Sequence, residues 1–398
     1  MTETIDQIKA LSEKYFEEIQ QIRHHLHANP ELSFHEFNTA NFIESELKKI
    51  GITDFVRMAE TGITFNIKGN LPDNGKVVAM RADIDALPIV EANDVSYKST
   101  NEGVMHACGH DVHTSSLLGA VKILNDLKDY FAGTVKIIFQ PGEEKLPGGA
   151  SIMIDEGILE NPKPDRIIGQ HVMPLIDAGK VGFRKGMYMA SADEIYFTVK
   201  GKGGHAAMPE NLIDPVLITS HIIVALQQVI SRRSSPKIPS VLSFGDVHAN
   251  GATNVIPNEV KVKGTFRTYD EEWRAEAHQI MTDMAKGMAQ AMGGDCDFEV
   301  VKGYPHLKNH PEFTDANMQW AKEYLGEENV QEIDLWLAGE DFAFYSHHVD
   351  SCFYRLGTRN ESKGITSGVH TPTFDIDESA LKIGMGLFAW LTIAELNA

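Results

Sequence analysis

Four short β-rich runs, ITFNIKG (63–69), KVVAM (76–80), TVKIIF (134–139) and DRIIGQHV (165–172), share the first half of the chain with helical patterns such as TSSLLGAVKILNDLKDYF (114–131). Neighbouring strands joined through a helix run parallel, because the helix carries the chain back to the starting edge. The pattern therefore predicts an α/β fold, a largely parallel mixed sheet flanked by helices. Ahead of it, Ile5, Ile8, Leu11, Phe16, Ile19, Ile22 and Leu26 recur at spacings of mostly three and four, an amphipathic helix ended by Asn29-Pro30. A second helix is expected over 36–50.

Near Lys180 the period changes. EIYFTVKGKG (194–203), VLSFGDVHA (241–249) and EVKVKGTFRTY (259–269) alternate in the manner of half-buried strands. Helical patterns fill about 212–232 and 271–292, and CDFEVVKG (296–303) closes a β-α-β-β-α-β order, the layout of a ferredoxin-like α+β domain. After Tyr304-Pro305 the first style returns, with a helix near 312–325, a strand CFYRLG (352–357) and a last helix over 377–396. The expected organisation is a catalytic domain in two parts, 1–186 and 304–398, interrupted by an inserted domain at 187–303. Short hinges are expected near 184–192 and 302–306.

The 36 Lys and Arg face 56 Asp and Glu, a formal charge of −20, which disfavours nucleic acid and anionic membranes as partners. The three cysteines, Cys108, Cys296 and Cys352, are too scattered for a disulfide framework. The first residues lack the basic and apolar regions of a signal peptide, and no apolar run approaches the roughly 18 residues of a membrane span. A cytoplasmic protein is expected.

Polar clusters follow the ends of the apolar strands. KVVAM leads into Arg81-Ala82-Asp83-Ile84-Asp85, TVKIIF into Gln140-Pro141-Gly142-Glu143-Glu144, and RIIG into Gln170-His171. The carboxyl ends of parallel strands line the ligand crevice, so these segments are expected to converge. Between them lies Met105-His106-Ala107-Cys108-Gly109-His110-Asp111-Val112-His113. A lone Cys or His is ordinarily a core or helix-start residue. A Cys-x-His pair in a Gly-containing loop instead offers thiolate and imidazole to one divalent ion. Adjacent glutamates are commonly a solvated pair, but at a strand end one can ligate while the other acts as general base. His171 and His370, the latter in Gly368-Val369-His370-Thr371-Pro372, complete the candidates. With Cys108, His110 and Glu144 they make five ligands, more than one tetrahedral ion uses, which points to two metal ions.

RADIDALPI, MHACGHDVHT, QPGEE, GQHV, GKGGHAAMP, AGEDFAFY and GVHTP occur here in the order found in the aminoacylase and hippurate-hydrolase-like amidohydrolases. These form a branch of the di-metal metallopeptidases that includes carboxypeptidase G. The chain resembles them nearly throughout, from RHHLHANPELSFHE to the last helix. The resemblance implies Cys108, His110, Glu144, His171 and His370 as metal ligands, Glu143 as general base, and Asp83 as a residue steering a ligand. It further implies that the inserted domain 187–303 is a lid and dimerisation domain, forming a dimer, or a tetramer built on it, in which His205 reaches a neighbouring subunit's site to steady an oxyanion. Asn254 and Arg267 would help hold a substrate carboxylate. The peptidase relatives carry a His where this chain has Arg81, and a different segment in place of Cys-x-His.

The activity implied is hydrolysis of N-acyl-L-amino acids to a carboxylic acid and a free amino acid. A water that loses its proton to Glu143 would attack the acyl carbonyl. The cofactors implied are two divalent ions per subunit, zinc or manganese, with cobalt or nickel also accepted by such a ligand set. A dipeptidase or an N-acetyl-diaminopimelate deacetylase would use the same chemistry. A thiol hydrolase with Cys108 as nucleophile and His110 or His113 as base is a reading of another class. His24, His25, His27, His106, His113 and His347-His348 are read as supporting residues, and Gly339–Phe342 as shaping the pocket mouth or supporting His370.

Overall fold

The strand Val77–Asp83 is buried at every residue, because it lies inside a sheet covered on both faces. In the computed structural model, which describes residues 2–398, this strand belongs to an eight-stranded sheet. The order is Val56–Met58, Gly62–Lys68, Thr134–Gln140, Val77–Asp83, Arg166–Asp177, Asp350–Arg359, Val181–Phe183, Val330–Glu332. The central four are mutually parallel, as the alternation predicts. Gly62–Lys68 runs antiparallel to its neighbour Thr134–Gln140. No helix separates it from Val77, so no crossover resets its direction.

Helices Thr2–Ala28, His110–Asp126 and Ala380–Asn397 pack on one another, and the latter two also on the sheet. Their apolar faces and the strands form one continuous core that includes Ile8, Ile19, Val78, Met80, Leu117, Leu124, Ile137, Leu387 and Trp390. Burying each such aliphatic side chain contributes roughly 1.5–3 kcal/mol. Contacts gather the chain up to Gly186, Lys308–Leu335 and Asp341–Ala398 into this unit.

The second unit comprises Met187–Leu307 and Trp336–Glu340. Its antiparallel sheet has the order Ser240–Ala249, Glu259–Thr268, Asp193–Lys200, Asp295–Val301. Helices Pro215–Gln228 and Glu271–Ala291 pack on it through Ile218, Ile222, Leu226, Ala277 and Met281, which meet Ile195, Phe197, Val199, Val260 and Val262. The alternation of VKVKG is explained by this one-sided burial. Asp214 and Asp270 cap the two helices.

Candidate metal centre

Register sets the site. Asp83 pairs with Gln140 at the ends of their strands, and Arg81 pairs with Gly169, two residues before His171. The segments that follow these strands therefore start from one end of the sheet. Cys108 lies just before helix His110–Asp126, whose N-cap Gly109 is left-handed at φ 79°. A Cβ at Gly109 would come within 2.6 Å of Val172 Cγ2, so this turn admits only glycine without a shift.

Cys108 Sγ lies 3.4 Å from His171 Nε2 and 3.3 Å from His370 Nε2. His370 Nε2 is also 3.2 Å from Glu144 Oε1. His110 Nε2 faces Glu144 Oε1 at 3.9 Å and Glu143 Oε2 at 4.0 Å. All five candidate ligands and the candidate base are thus brought together. The rings are oriented as ligands need: His171 Nδ1 donates to Val172 O at 2.8 Å and His110 Nδ1 to Asp85 Oδ1 at 3.1 Å, leaving Nε2 of each turned inward. His370 holds φ 61°, a conformation rare outside glycine, and its N–H donates to Ala107 O at 2.7 Å.

The atoms fit divalent ions. His110 Nε2 and Glu144 Oε1 are buried with no hydrogen-bond partner, an arrangement that is costly unless something else occupies them. Cys108, His110 and His171 can share one ion, and Cys108, Glu144 and His370 another, by the mutual proximity of their donor atoms. Burial and the carboxylates of Glu144, Glu143 and Asp83 hold the Cys108 thiol well above its ordinary value. Burial opposes charge on His110 as well, but Asp83, Asp85 and Glu144 push it up to about 10. Such a field is built for a cation. Burial, Arg355 and His113 keep His171 well below the usual histidine range, a neutral imidazole with its Nε2 lone pair available.

Asp83 Oδ1 accepts from His113 Nδ1 at 2.6 Å, and His113 Nε2 accepts from Val172 N–H at 2.9 Å. Both nitrogens of His113 are engaged, so it supports rather than presents a lone pair. The residue that grips His110 is Asp85, which the sequence reading does not single out, although its place two residues after Asp83 at a strand end is a usable signal. Asp341, read from sequence only as part of the 339–342 segment, is a second supporting residue. Its carboxylate accepts from Arg81 Nη2 at 2.7 Å, Gln140 Nε2 at 2.8 Å and Ala150 N–H at 3.0 Å, and its own N–H donates to Glu143 Oε1 at 3.4 Å. Asp341 thus braces Glu143, where the sequence suggested that 339–342 shapes the pocket mouth or supports His370.

His205, Asn254 and Arg267 lie in the second unit. His205 is exposed, its Nδ1 accepts from Ala207 N–H at 3.1 Å, and it pairs with Val255, the neighbour of Asn254. Arg267 Nε donates to Thr265 Oγ1 at 3.0 Å.

The pattern of the peptidase family M20/M25/M40 matches residues 79–393. The chain belongs to this family. An N-acyl-L-amino acid amidohydrolase of Geobacillus stearothermophilus is 40% identical over 309 residues, 78% of this chain and 82% of that enzyme. Thermostable carboxypeptidase 2 of Saccharolobus solfataricus is 37% identical over 382 residues, 95% of each chain. A solved Bacillus subtilis protein described as a dinuclear metal-binding peptidase of the M20 family superposes with a TM-score of 0.81 at 33% identity, covering 97% of this chain and 99% of its own. The chain is accordingly a metal-dependent hydrolase that cleaves amide bonds. Among the described residues no helix is long and apolar enough to cross a membrane.

Proposed function

We propose that this protein hydrolyses N-acyl-L-amino acids, using Glu143 as general base and Cys108, His110, Glu144, His171 and His370 as ligands to two divalent ions, zinc or manganese, with cobalt or nickel accepted. The observation that carries this reading is the pair of buried atoms His110 Nε2 and Glu144 Oε1, neither of them hydrogen-bonded, beside Cys108, with Glu143 at their edge. Ions bound there supply electrophilic activation of water and of the scissile carbonyl. Glu143, held at Oε1 by the Asp341 N–H, takes the proton of the attacking water and delivers it to the leaving amine. Arg81 and Gln140 keep Asp341, and through it Glu143, in place. By the family resemblance, His205 of the partner subunit steadies the developing oxyanion, and Asn254 and Arg267 hold the substrate carboxylate.

The second unit carries exposed Val216, Leu217 and Val224 on one helix and an edge strand at Ser240–Ala249. These support its role as the dimer contact, a tetramer being a further assembly of such dimers. The three cysteines, free and buried, suit the reducing cytoplasm. A Cys108 nucleophile is disfavoured, because its surroundings oppose a thiolate in the absence of a cation.

Similarity to a carboxypeptidase favours a second reading, in which the acyl group is itself an amino acid and the substrate a peptide. A panel of N-acetyl, N-benzoyl and dipeptide substrates separates the two. Glu143→Gln is expected to lower turnover by roughly 10²–10⁴-fold with metal content unchanged. Retained turnover would overturn the assignment of the base.

A further inference from the structure

The segment Leu32–Glu36 takes no part in the chemistry above, yet it runs against both turns that carry it. Ala86 N–H donates to Glu31 O at 2.8 Å and Leu32 pairs with Ala86, which fixes the segment beside the turn after Asp83. From there Ser33 Oγ donates to Asp85 Oδ2 at 2.6 Å. The same oxygen accepts the Glu144 N–H at 3.0 Å, and the other oxygen of Asp85 orients His110.

Glu36 is fully buried and makes the second link. Its Oε1 accepts from the N–H groups of Phe34 at 2.9 Å and Gly142 at 2.8 Å, and its Oε2 from Thr61 Oγ1 at 2.8 Å. Gly142 immediately precedes Glu143 and is left-handed at φ 60°. Between the two links Phe34 is also left-handed, at φ 66°, which for a bulky residue persists only where the surroundings impose it. What it achieves is contact: the Phe34 ring lies where a Cβ on Gly142 would come within 2.3 Å.

We propose that Ser33, Phe34 and Glu36 form a clamp of positioning residues that sets the Gly142–Glu144 turn, and with it the direction of Glu143 and Glu144. The proposal rests on the functional reading above for what those two glutamates do. Ser33 acts through Asp85 on the Glu144 main chain, Glu36 acts directly on the Gly142 main chain, and Phe34 closes the turn from the side. A residue that served only to fill the interior would tolerate any replacement that preserved folding.

The test compares Glu36→Ala with Glu36→Gln in the full chain. Gln keeps an oxygen for the two N–H groups, and its amide can donate to the Thr61 hydroxyl, so it preserves the clamp. Ala removes it. The expected result is a fall in kcat of roughly 10–100-fold for Glu36→Ala with KM little changed, and recovery of most of that loss in Glu36→Gln. Hydrogen–deuterium exchange of the peptide covering residues 140–148 is read alongside, and only the Ala variant is expected to exchange faster. This readout needs no turnover, so inactivity of the native chain on every substrate would count against the functional reading alone. Should Glu36→Ala not fold, Ser33→Ala removes a single hydroxyl and is expected to weaken binding of Co²⁺, used as the probe, by roughly tenfold. A folded Glu36→Ala chain with native kcat and native exchange, equal losses in the Ala and Gln variants, or native Co²⁺ affinity in Ser33→Ala would overturn the proposal.

Discussion

Glu36 illustrates how a single buried carboxyl couples geometry to pH. Burial first, and then the charge of Asp85, push it up to about 7 from an ordinary 4.5. A raised acid favours its protonated form in the fold, so its contribution is most favourable below about 4.5 and declines as pH rises through about 7. Glu36→Gln is permanently neutral and is expected to gain in Tm relative to the native chain as pH is raised from about 5 to about 8. A difference in Tm that does not vary with pH would contradict this. The principal candidate residues were legible because each stands in a short motif at the edge of an element, Glu143 and Glu144 just past strand Thr134–Gln140 and Cys108 and His110 at the start of helix His110–Asp126. The partners of Asp341 were not, since Arg81 and Gln140 lie some 200 positions or more earlier in the chain, and no local pattern announces such a bond.

At the scale of elements, the periodic strands and helices could be read, and short or polar ones could not. Val181–Phe183 and Val330–Glu332 are three residues each, too brief to display a period. The helix expected from Thr114 begins instead at His110. Its first turn is polar yet buried, because Asp111 accepts from Arg23 Nε at 2.9 Å and pairs with His27 Nδ1 at 2.8 Å. Only tertiary structure provides those partners from the first helix. Caps, by contrast, act locally. Asp214 accepts from the N–H groups of Val216 and Leu217 at 2.8 and 3.2 Å, with Pro215 at the first helical position. Asp214→Ala is expected to cost about 1 kcal/mol, read from the denaturant midpoint, with metal content unchanged. A loss of metal in that variant would show that the cap reaches beyond its own helix.

Across the whole molecule, the change from strand–helix alternation to period-two strands, read near Lys180, marked a second kind of packing, and the structure shows an antiparallel sheet that begins with strand Asp193–Lys200. The pairing order of the large sheet was not legible, since apolar strands such as TVKIIF and KVVAM look alike until helix and loop lengths place them. A chain of formal charge −20 repels polyanions and favours cations, in keeping with a centre whose buried donors await positive charge. The most direct test is metal content per chain of freshly purified protein, measured together with amino acid release from N-acyl substrates before and after chelation. The expected result is about two divalent ions per chain, loss of both metal and hydrolysis on chelation, and recovery on adding metal back. Protein that binds no metal and hydrolyses these amides equally well with and without chelator would contradict it.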